Sequence, residues 1–247
     1  MLGLPDGISA LLFDLDGVLT KTAEVHAAAW KEMFDEVLTA HAGQDGVDSR
    51  PFDEVGDYLS YVDGKPRYNG VRDFFASRGL SFPEGEPGDD GTVETVIGLG
   101  NRKNDAVQRI IETDGVEPYE GSVRYLEAVR AAGIPTAVVS SSANAEAVLR
   151  AAGLEHFIDE RVDGAVAAAE GIKGKPAPDM FLEAARRLGA TPDTAVVFED
   201  ALSGVRSGAA GKFVVVVGVD RGGHAEALRD AGATVVVDDL ADLLPSA

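Results

Sequence analysis

Cysteine is absent from this chain of 247 residues, which excludes disulfides, cysteine-ligated zinc and thiol nucleophiles. Basic residues are scarce: 22 Lys and Arg stand against 42 Asp and Glu, so the formal net charge is −20 at pH 7. Proteins that bind nucleic acid or anionic membranes need an excess of basic residues, so both classes are excluded. No apolar run approaches the roughly 20 residues of a membrane span, and the N-terminus lacks the basic start of a signal peptide. We therefore expect a cytoplasmic protein.

Five short apolar runs predict the buried strands of a parallel sheet. They are nearly continuous in β-branched and apolar residues, as expected where helices cover both faces of a sheet. These runs span residues 8–14, 135–141, 194–200, 213–219 and 234–239. Helical patterns, most of which end in glycine, alternate with the runs from about residue 120 onward. The alternation predicts an α/β fold with a doubly wound parallel sheet, which is a Rossmann-like core.

A long helical segment separates the first of these strands from the second. It contains no comparable apolar run, and its loops are rich in Gly, Pro and Asp. Its helical patterns span residues 22–40, 71–79 and 92–113. We therefore predict an inserted helical cap domain over residues 20–119, and a core domain formed by residues 1–19 and 120–247.

Polar side chains follow the predicted core strands at the points where the strands end, and a lysine precedes one of these strands. In an open parallel sheet, ligands bind beyond the carboxyl ends of the strands, so these side chains converge on one edge. Singly, each is typical of a solvated turn, but their joint placement indicates a site. The residues are Asp14, Asp16, Ser140, Lys175, Glu199 and Asp200.

Each of these residue types suits the transfer of a phosphoryl group. Asp14, Glu199 and Asp200 offer the hard oxygen ligands that Mg²⁺ prefers. An aspartate beside Mg²⁺ stays ionised and can attack phosphorus, while a second aspartate can protonate the leaving oxygen. Ser140 and Lys175 can bind phosphoryl oxygens and offset their charge.

Four segments, FDLDGVLT, VVSSS, GKPAPD and VFEDALSG, resemble in order the four signature motifs of the haloacid-dehalogenase-type phosphotransferases. The resemblance covers essentially the whole chain. It implies that Asp14 is the nucleophile, which forms an aspartyl-phosphate, and that Asp16 is the general acid/base, with its backbone carbonyl also on Mg²⁺. The resemblance also implies that Glu199 and Asp200 complete the magnesium site. The dehalogenases of this family lack the second aspartate, so Asp16 indicates phosphorus chemistry.

The insert resembles the cap of the sugar phosphomutases in this family, which interconvert β-glucose 1-phosphate and glucose 6-phosphate. The likeness lies in TAEVHAAAW, GKPRYNGV and NRKND, and in the residues that follow the second strand. The resemblance implies that the substrate is bound by His26, Trp30, Arg67, Lys103, Asn104, Ser142 and Asn144, in addition to Ser140 and Lys175.

Alternatives stay open for the residues of the cap. His26 either couples to Asp16 during proton transfer, or is a helix residue near the domain junction that makes an ordinary hydrogen bond. For Trp30, packing is favoured over contact with a ligand. Arg67 is predicted to lie in a Gly/Pro-rich loop, where functional residues gather, and Arg72 is the alternative for the same phosphate contact.

One departure from the family pattern leaves the substrate open. Ala143 stands where these phosphomutases have a lysine, so one phosphate contact is missing. The leading hypothesis is a Mg²⁺-dependent phosphomutase, a monomer or weak dimer, that acts on a small phosphorylated sugar. The alternative is a sugar-phosphate phosphatase that passes the phosphoryl group to water. A non-catalytic phosphosugar-binding protein is disfavoured, because it has no need for Asp14 and Asp16 together.

Overall fold

A helical insert separates the first strand of the sheet from the other strands. In the computed structural model, which describes residues 2–245, the chain divides into two units. The first unit consists of Met1–Thr22 and Val116–Ala247, and the second unit consists of Ala23–Gly115.

The limits of the insert differ by a few residues from those drawn on the sequence. The segment predicted as the cap, residues 20–119, begins and ends inside the first unit. The reason is that the outgoing and returning chain segments bond to each other there. The backbone N–H of Lys21 donates to the carbonyl of Glu117 at 2.9 Å, and that of Tyr119 donates to the carbonyl of Leu19 at 3.0 Å.

The first unit is built on a six-stranded sheet in which every pair of neighbouring strands is parallel. The strand order is β3-β2-β1-β4-β5-β6. The strands are β1 (Ala10–Phe13), β2 (Thr136–Val139), β3 (Glu160–Val162), β4 (Ala195–Glu199), β5 (Val215–Val219) and β6 (Val235–Val237). This order, with β1 central and strands added outward in both directions, confirms the predicted doubly wound α/β fold.

Helices connect the strands, and several of them bury apolar residues against the sheet. In the helix Asp179–Arg187, for example, the buried residues are Met180, Phe181, Ala184 and Ala185, at the spacing of an amphipathic helix. Within residues 2–245, the α-helices are α1 (Thr22–Ala40), α2 (Arg67–Ser77), α3 (Val96–Asp114), α4 (Glu120–Ala132), α5 (Ala145–Ala151), α6 (Gly164–Glu170), α7 (Asp179–Arg187), α8 (Leu202–Ala210) and α9 (Ala225–Ala231), and a π-helical turn spans Tyr58–Val62.

Strand β3 and helix α6 were not predicted from the sequence, and the expected count of five strands was wrong. The strand has only three residues, and two of them, Glu160 and Arg161, are charged. It lies at the edge of the sheet, so it needs no continuous apolar run. Asp163 then caps α6, because its carboxylate accepts from the backbone N–H groups of Ala165 and Val166.

The second unit is held together by an aromatic cluster on α1, α2 and the loop between them. The rings of Phe34 and Phe74 lie 3.9 Å apart, and Phe34 also stacks on Trp30 at 4.9 Å. All three side chains are almost completely buried.

None of the helices within residues 2–245 is long and apolar enough to span a membrane.

Arg67 begins helix α2, so its predicted placement in a loop was wrong. The preceding residue, Pro66, has an extended backbone, and its carbonyl accepts from the N–H groups of Asn69 and Gly70. A proline before the first helical residue is compatible with helix initiation because the first N–H groups of a helix have no partner within it.

We expect Phe34→Ala to destabilise the second unit by about 3–5 kcal/mol, because it leaves a cavity in the aromatic cluster. Urea unfolding followed by the fluorescence of Trp30, the only tryptophan of the chain, measures this loss. Val55→Ala is the matched control, since Val55 is 70% exposed in the same unit. Equal unfolding midpoints for the two variants would show that the cluster does not hold this unit together.

Candidate active site

The ends of β1 and β4 bring two carboxylates next to each other. The register of these strands pairs Phe13 with Phe198, and the two rings stack with their centroids 4.5 Å apart. Beyond this pair, the backbone N–H of Asp14 donates to the carbonyl of Phe198 at 2.8 Å. Asp14 and Glu199 therefore leave the sheet at the same edge, as predicted.

Lys175 joins these two acids from a segment between β3 and β4. Its Nζ donates to Asp14 Oδ1 at 2.5 Å, to Glu199 Oε1 at 2.6 Å and to the carbonyl of Val139 at 2.8 Å. These three bonds use all three protons of the ammonium group. The lysine and Glu199 are almost fully buried, so the ion pairs are shielded from solvent. A single side chain thus ties together the ends of β1, β2 and β4.

Burial and the neighbouring opposite charges act in opposite directions on the pKa values of Asp14 and Lys175. Burial raises the pKa of the Asp14 carboxyl well above its usual range, and although the Lys175 ammonium acts to lower it, repulsion from Glu199 and Asp16 adds to the increase. Burial acts to lower the pKa of Lys175, but the carboxylates of Asp14 and Glu199 outweigh it, so this pKa is raised. Lys175 therefore remains a cation at neutral pH.

Three acids form a set of oxygen ligands at this edge. One carboxylate oxygen from each of Asp14, Glu199 and Asp200 lies within 4.8 Å of the other two. Oxygen donors of this kind suit a hard divalent cation, and Lys175 alone does not balance three negative charges. The residues therefore fit a metal ion. Asp16 was assigned to the metal through its backbone carbonyl, and that assignment stays a prediction, since the group of three consists of side-chain oxygens.

Two glycines make room for these acids. Gly17 has a φ of +87°, and a Cβ atom there would lie 1.8 Å from Asp200 Oδ2. In helix α8, a Cβ atom at Gly204 would lie 1.6 Å from Glu199 Oε1. Each carboxylate therefore packs directly against a bare backbone, which explains why both motifs contain glycine at these points.

Asp16 points to different partners from those of Asp14. Its Oδ1 accepts from the hydroxyl of Thr22, and its Oδ2 accepts from the Ser140 hydroxyl at 3.3 Å. Thr22 was not predicted as a site residue, although it is the first residue of the segment TAEVHAAAW, which resembles the family's cap. The hydroxyl of Thr22 also bonds to that of Thr20 at 2.8 Å. The two aspartates of the first motif are thus held by separate groups.

The serines after β2 shape their own loop. Ser140 Oγ accepts from the N–H of Ser142, and Ser142 Oγ accepts from the N–H of Asn144, both at 3.1 Å. The carbonyl of Ser142 also accepts from the N–H of Gly164 at 3.0 Å. Ala143 at the tip of this loop is exposed. The binding of a phosphoryl group or a sugar by Ser140, Ser142 and Asn144 stays a prediction.

Within the second unit, three of the predicted substrate-binding residues lie together. Lys103 Nζ is 2.6 Å from His26 Nδ1 and lies 4.8 Å from the centre of the Trp30 ring. Lys103 is buried, whereas the adjacent Arg102 is bonded to the carbonyl of Gly91. The favoured packing role of Trp30 agrees with its 4% exposure and its stack on the neighbouring phenylalanine.

Arg67 and Arg72 have different surroundings. Arg72 is engaged by the carboxylate of Glu84 and the side chain of Asn69. Arg67 donates to the hydroxyl of Tyr68 at 3.2 Å, and its guanidinium lies 5.0 Å from the centre of that ring. No carboxylate within residues 2–245 forms an ion pair with Arg67, so its charge is not neutralised. Asn104 lies half-buried on α3.

The chain matches the haloacid dehalogenase-like hydrolases over residues 8–212 and belongs to this family, as its four motifs predicted. It is 56% identical to the β-phosphoglucomutase of Mycobacterium bovis, over 99% of this chain and 94% of that protein. It is 31% identical to the fructose-1-phosphate phosphatase of Escherichia coli, over 81% of this chain and 90% of that protein. The crystal structure of β-phosphoglucomutase from Clostridium difficile matches with a TM-score of 0.73 at 27% identity, over 96% of this chain and 93% of that chain. The protein is thus a phosphotransferase enzyme of this family.

We expect Lys175→Met to destabilise the metal-free protein by about 3–5 kcal/mol, because it leaves buried carboxylates without their cation. The loss should be larger at pH 8 than at pH 5. A carboxyl group whose pKa is raised in the folded state, as for Asp14, stabilises the fold only while protonated, and this contribution is lost as the pH rises.

Lys173→Met is the matched control for this measurement, since Lys173 is exposed two residues away. Urea unfolding in a chelating buffer at the two pH values gives both differences. The same small loss in both lysine variants, without dependence on pH, contradicts the structural role assigned to Lys175.

Proposed function

We propose that the protein is a Mg²⁺-dependent phosphomutase that interconverts β-glucose 1-phosphate and glucose 6-phosphate. The observation that carries the proposal is the pair of aspartates with separate partners, Asp14 on Lys175 and Asp16 on Thr22 and Ser140. One of them can act as a nucleophile while the other handles a proton. The similarity to β-phosphoglucomutase along nearly the whole chain supports the choice of substrate.

Asp14 is the proposed nucleophile. Its Oδ1 is held by Lys175, which leaves Oδ2 to attack phosphorus. A bond forms between Oδ2 and phosphorus, and the bond from phosphorus to the sugar oxygen breaks. Asp16 gives a proton to that oxygen as it leaves, and takes a proton from the incoming hydroxyl in the reverse transfer. When bound by Asp14, Asp16, Glu199 and Asp200, Mg²⁺ offsets the charge of the acids and of the phosphoryl group.

The positive charge of Lys175 supports the same step. The ammonium holds Asp14 in one orientation and adds a buried cation beside the phosphoryl group, where a low dielectric strengthens its effect. Ser140, Ser142 and Asn144 are proposed to bind phosphoryl and sugar oxygens from their loop. The bonds among these residues keep the loop in one conformation, which lowers the cost of ordering it on binding.

A mutase must bind a sugar with two phosphates, so it needs a second phosphate site. We assign this site to residues of the second unit. Arg67 carries a charge without an ion pair, and guanidinium groups bind phosphate in a bidentate manner. Lys103, which His26 and Trp30 hold in place, and Asn104 are proposed to contact the sugar bisphosphate.

A phosphatase is the second candidate, and two observations favour it. The exposed Ala143 gives the serine loop no cation of its own, and the chain is also similar to a fructose-1-phosphate phosphatase. In that reaction, water would accept the phosphoryl group from Asp14, and a second phosphate site would not be needed.

We expect the enzyme to convert β-glucose 1-phosphate into glucose 6-phosphate when Mg²⁺ and a trace of glucose 1,6-bisphosphate are supplied. Coupled assays of glucose 6-phosphate and of free phosphate in the same reaction measure both products. Asp14→Asn should abolish both, because it removes the nucleophile. Free phosphate as the dominant product refutes the mutase and supports the phosphatase.

Arg67→Ala should lower isomerisation by about ten- to a hundredfold, the effect of losing one charged hydrogen bond to phosphate. Hydrolysis of a small aryl phosphate, which has no second phosphate, should change by less than about twofold. Arg72→Ala serves as the control, because this arginine is already paired with Glu84. Equal losses of the two activities in Arg67→Ala would rule out its role in a second phosphate site.

A further inference from the structure

We propose that Arg221 is a positioning residue for the loop that carries Asp16, an inference that rests on the role proposed for that aspartate. Arg221 follows β5, at the same edge of the sheet as the acids. Its Nε donates to the carbonyl of Gly17 at 3.0 Å, the residue directly after Asp16. The residues assigned to the proposed reaction and the four motif segments do not include this arginine.

The guanidinium also holds the far end of the same loop. It lies over the ring of Tyr119, 3.7 Å from its centre, and the backbone N–H of Tyr119 donates to the carbonyl of Leu19 at 3.0 Å. The loop between Asp16 and Leu19 is therefore fixed at its start by a hydrogen bond from Arg221 and at its end through the tyrosine on which Arg221 stacks.

A rigid anchor keeps the guanidinium in this position. Its Nη1 donates to the carbonyl of Asp238 at 2.9 Å and to the Asp239 carboxylate at 3.0 Å. The other oxygen of Asp239 accepts from the N–H of Ala241 at 2.9 Å. Gly121 leaves room for this carboxylate, because a Cβ atom there would lie 1.6 Å from Asp239 Oδ1. The Asp239 carboxylate is therefore held by Arg221 through one oxygen and by the backbone of Ala241 through the other.

Only an arginine can make this combination of contacts. The guanidinium is planar, so it donates within its plane to Gly17 and Asp239 while its face stacks on Tyr119. A lysine would keep the charge but not the stack and the two directed bonds. The arginine side chain is 19% exposed, so these contacts lie mostly away from water.

The position of Gly17 matters because its backbone touches both functional acids. It follows Asp16 in the chain, and it lies so close to Asp200 that no Cβ atom fits between them. Its N–H donates to the carbonyl of Thr20 at 2.8 Å, which closes the loop. A shift of this backbone displaces the Asp16 carboxylate, and a displacement of about 1 Å in a catalytic group lowers the rate by about a hundredfold.

Arg221→Gln tests the inference through the turnover number and through the loop itself. We expect kcat to fall by about ten- to a hundredfold while KM changes by less than about threefold, since the substrate contacts lie elsewhere. Hydrogen–deuterium exchange of the segment 15–20 should become faster, because its restraints are lost. Arg206→Gln, a change at an exposed arginine of the first unit, should leave kcat and exchange unchanged.

Two further variants separate positioning from general stability. Arg221→Ala should regain part of its kcat when millimolar guanidinium is added, but not with the same concentration of ammonium. Asp239→Asn removes the charge of the ion pair but keeps an amide oxygen that can accept from Nη1 of Arg221, and the bond to the carbonyl of Asp238 is unchanged. The guanidinium should therefore stay on Gly17, so the unfolding midpoint should fall with little loss of kcat. The inference is overturned if the loss of kcat in Asp239→Asn and Arg221→Gln simply follows the decrease in their unfolding midpoints. It is also overturned if guanidinium restores no kcat to Arg221→Ala.

The exchange measurement needs no substrate, so it keeps this inference apart from the proposed mutase. If the wild type releases phosphate and does not isomerise, the proposed function fails, and kcat for hydrolysis of a small aryl phosphate then takes the place of the mutase rate. If Arg221→Gln matches the wild type in exchange and in kcat for both reactions, the inference fails and the proposed function stands.

Discussion

The buried ammonium of Lys175 is the interaction on which the rest of the site depends. Its three bonds to Asp14, Glu199 and the carbonyl of Val139 join the ends of three neighbouring strands. Without a cation, the acids at this edge would repel one another in a place with little access to water, which would destabilise the edge of the sheet. With the lysine in place, the acids stay close enough together to serve as ligands of a metal ion. The structural ion pairs and the proposed catalytic arrangement thus share the same atoms.

Around this centre, the backbone separates two aspartates that are only two residues apart. Asp14 ends a strand and points to Lys175, whereas Asp16 lies in a closed loop and is held by the hydroxyl groups of Thr22 and Ser140. The proposed roles of nucleophile and acid rest on these different partners, because the surroundings of a carboxyl group set its protonation. The loop that imposes this difference depends on Gly17, and the contacts of Arg221 with Gly17 extend the site to the far half of the sheet.

The net charge of −20 is compatible with an anionic substrate. Asp14, Glu199 and Asp200 fit a metal ion, whose charge would offset theirs. Lys175 has its charge committed to two carboxylates, whereas Arg67 in the second unit is not paired with an acid. A phosphorylated ligand therefore experiences local charges rather than the average field of the protein, since exposed charges more than about 10 Å away are screened at ordinary salt concentrations.

The sequence by itself determined the class of fold, five of the six strands described and the types of side chain at the ends of the strands that carry the acids, because buried strands and motif residues leave local patterns. It did not reveal β3, since a three-residue edge strand with Glu160 and Arg161 has no apolar run, and it placed Arg67 in a loop that is the start of a helix. The bonds of Lys175 to Asp14, of Thr22 to Asp16 and of Arg221 to Gly17 were decided only by the tertiary structure. Each of these bonds joins groups that are brought together by the order of strands in the sheet or by the path of a loop. The local spacing of residues in the sequence does not determine either of these features.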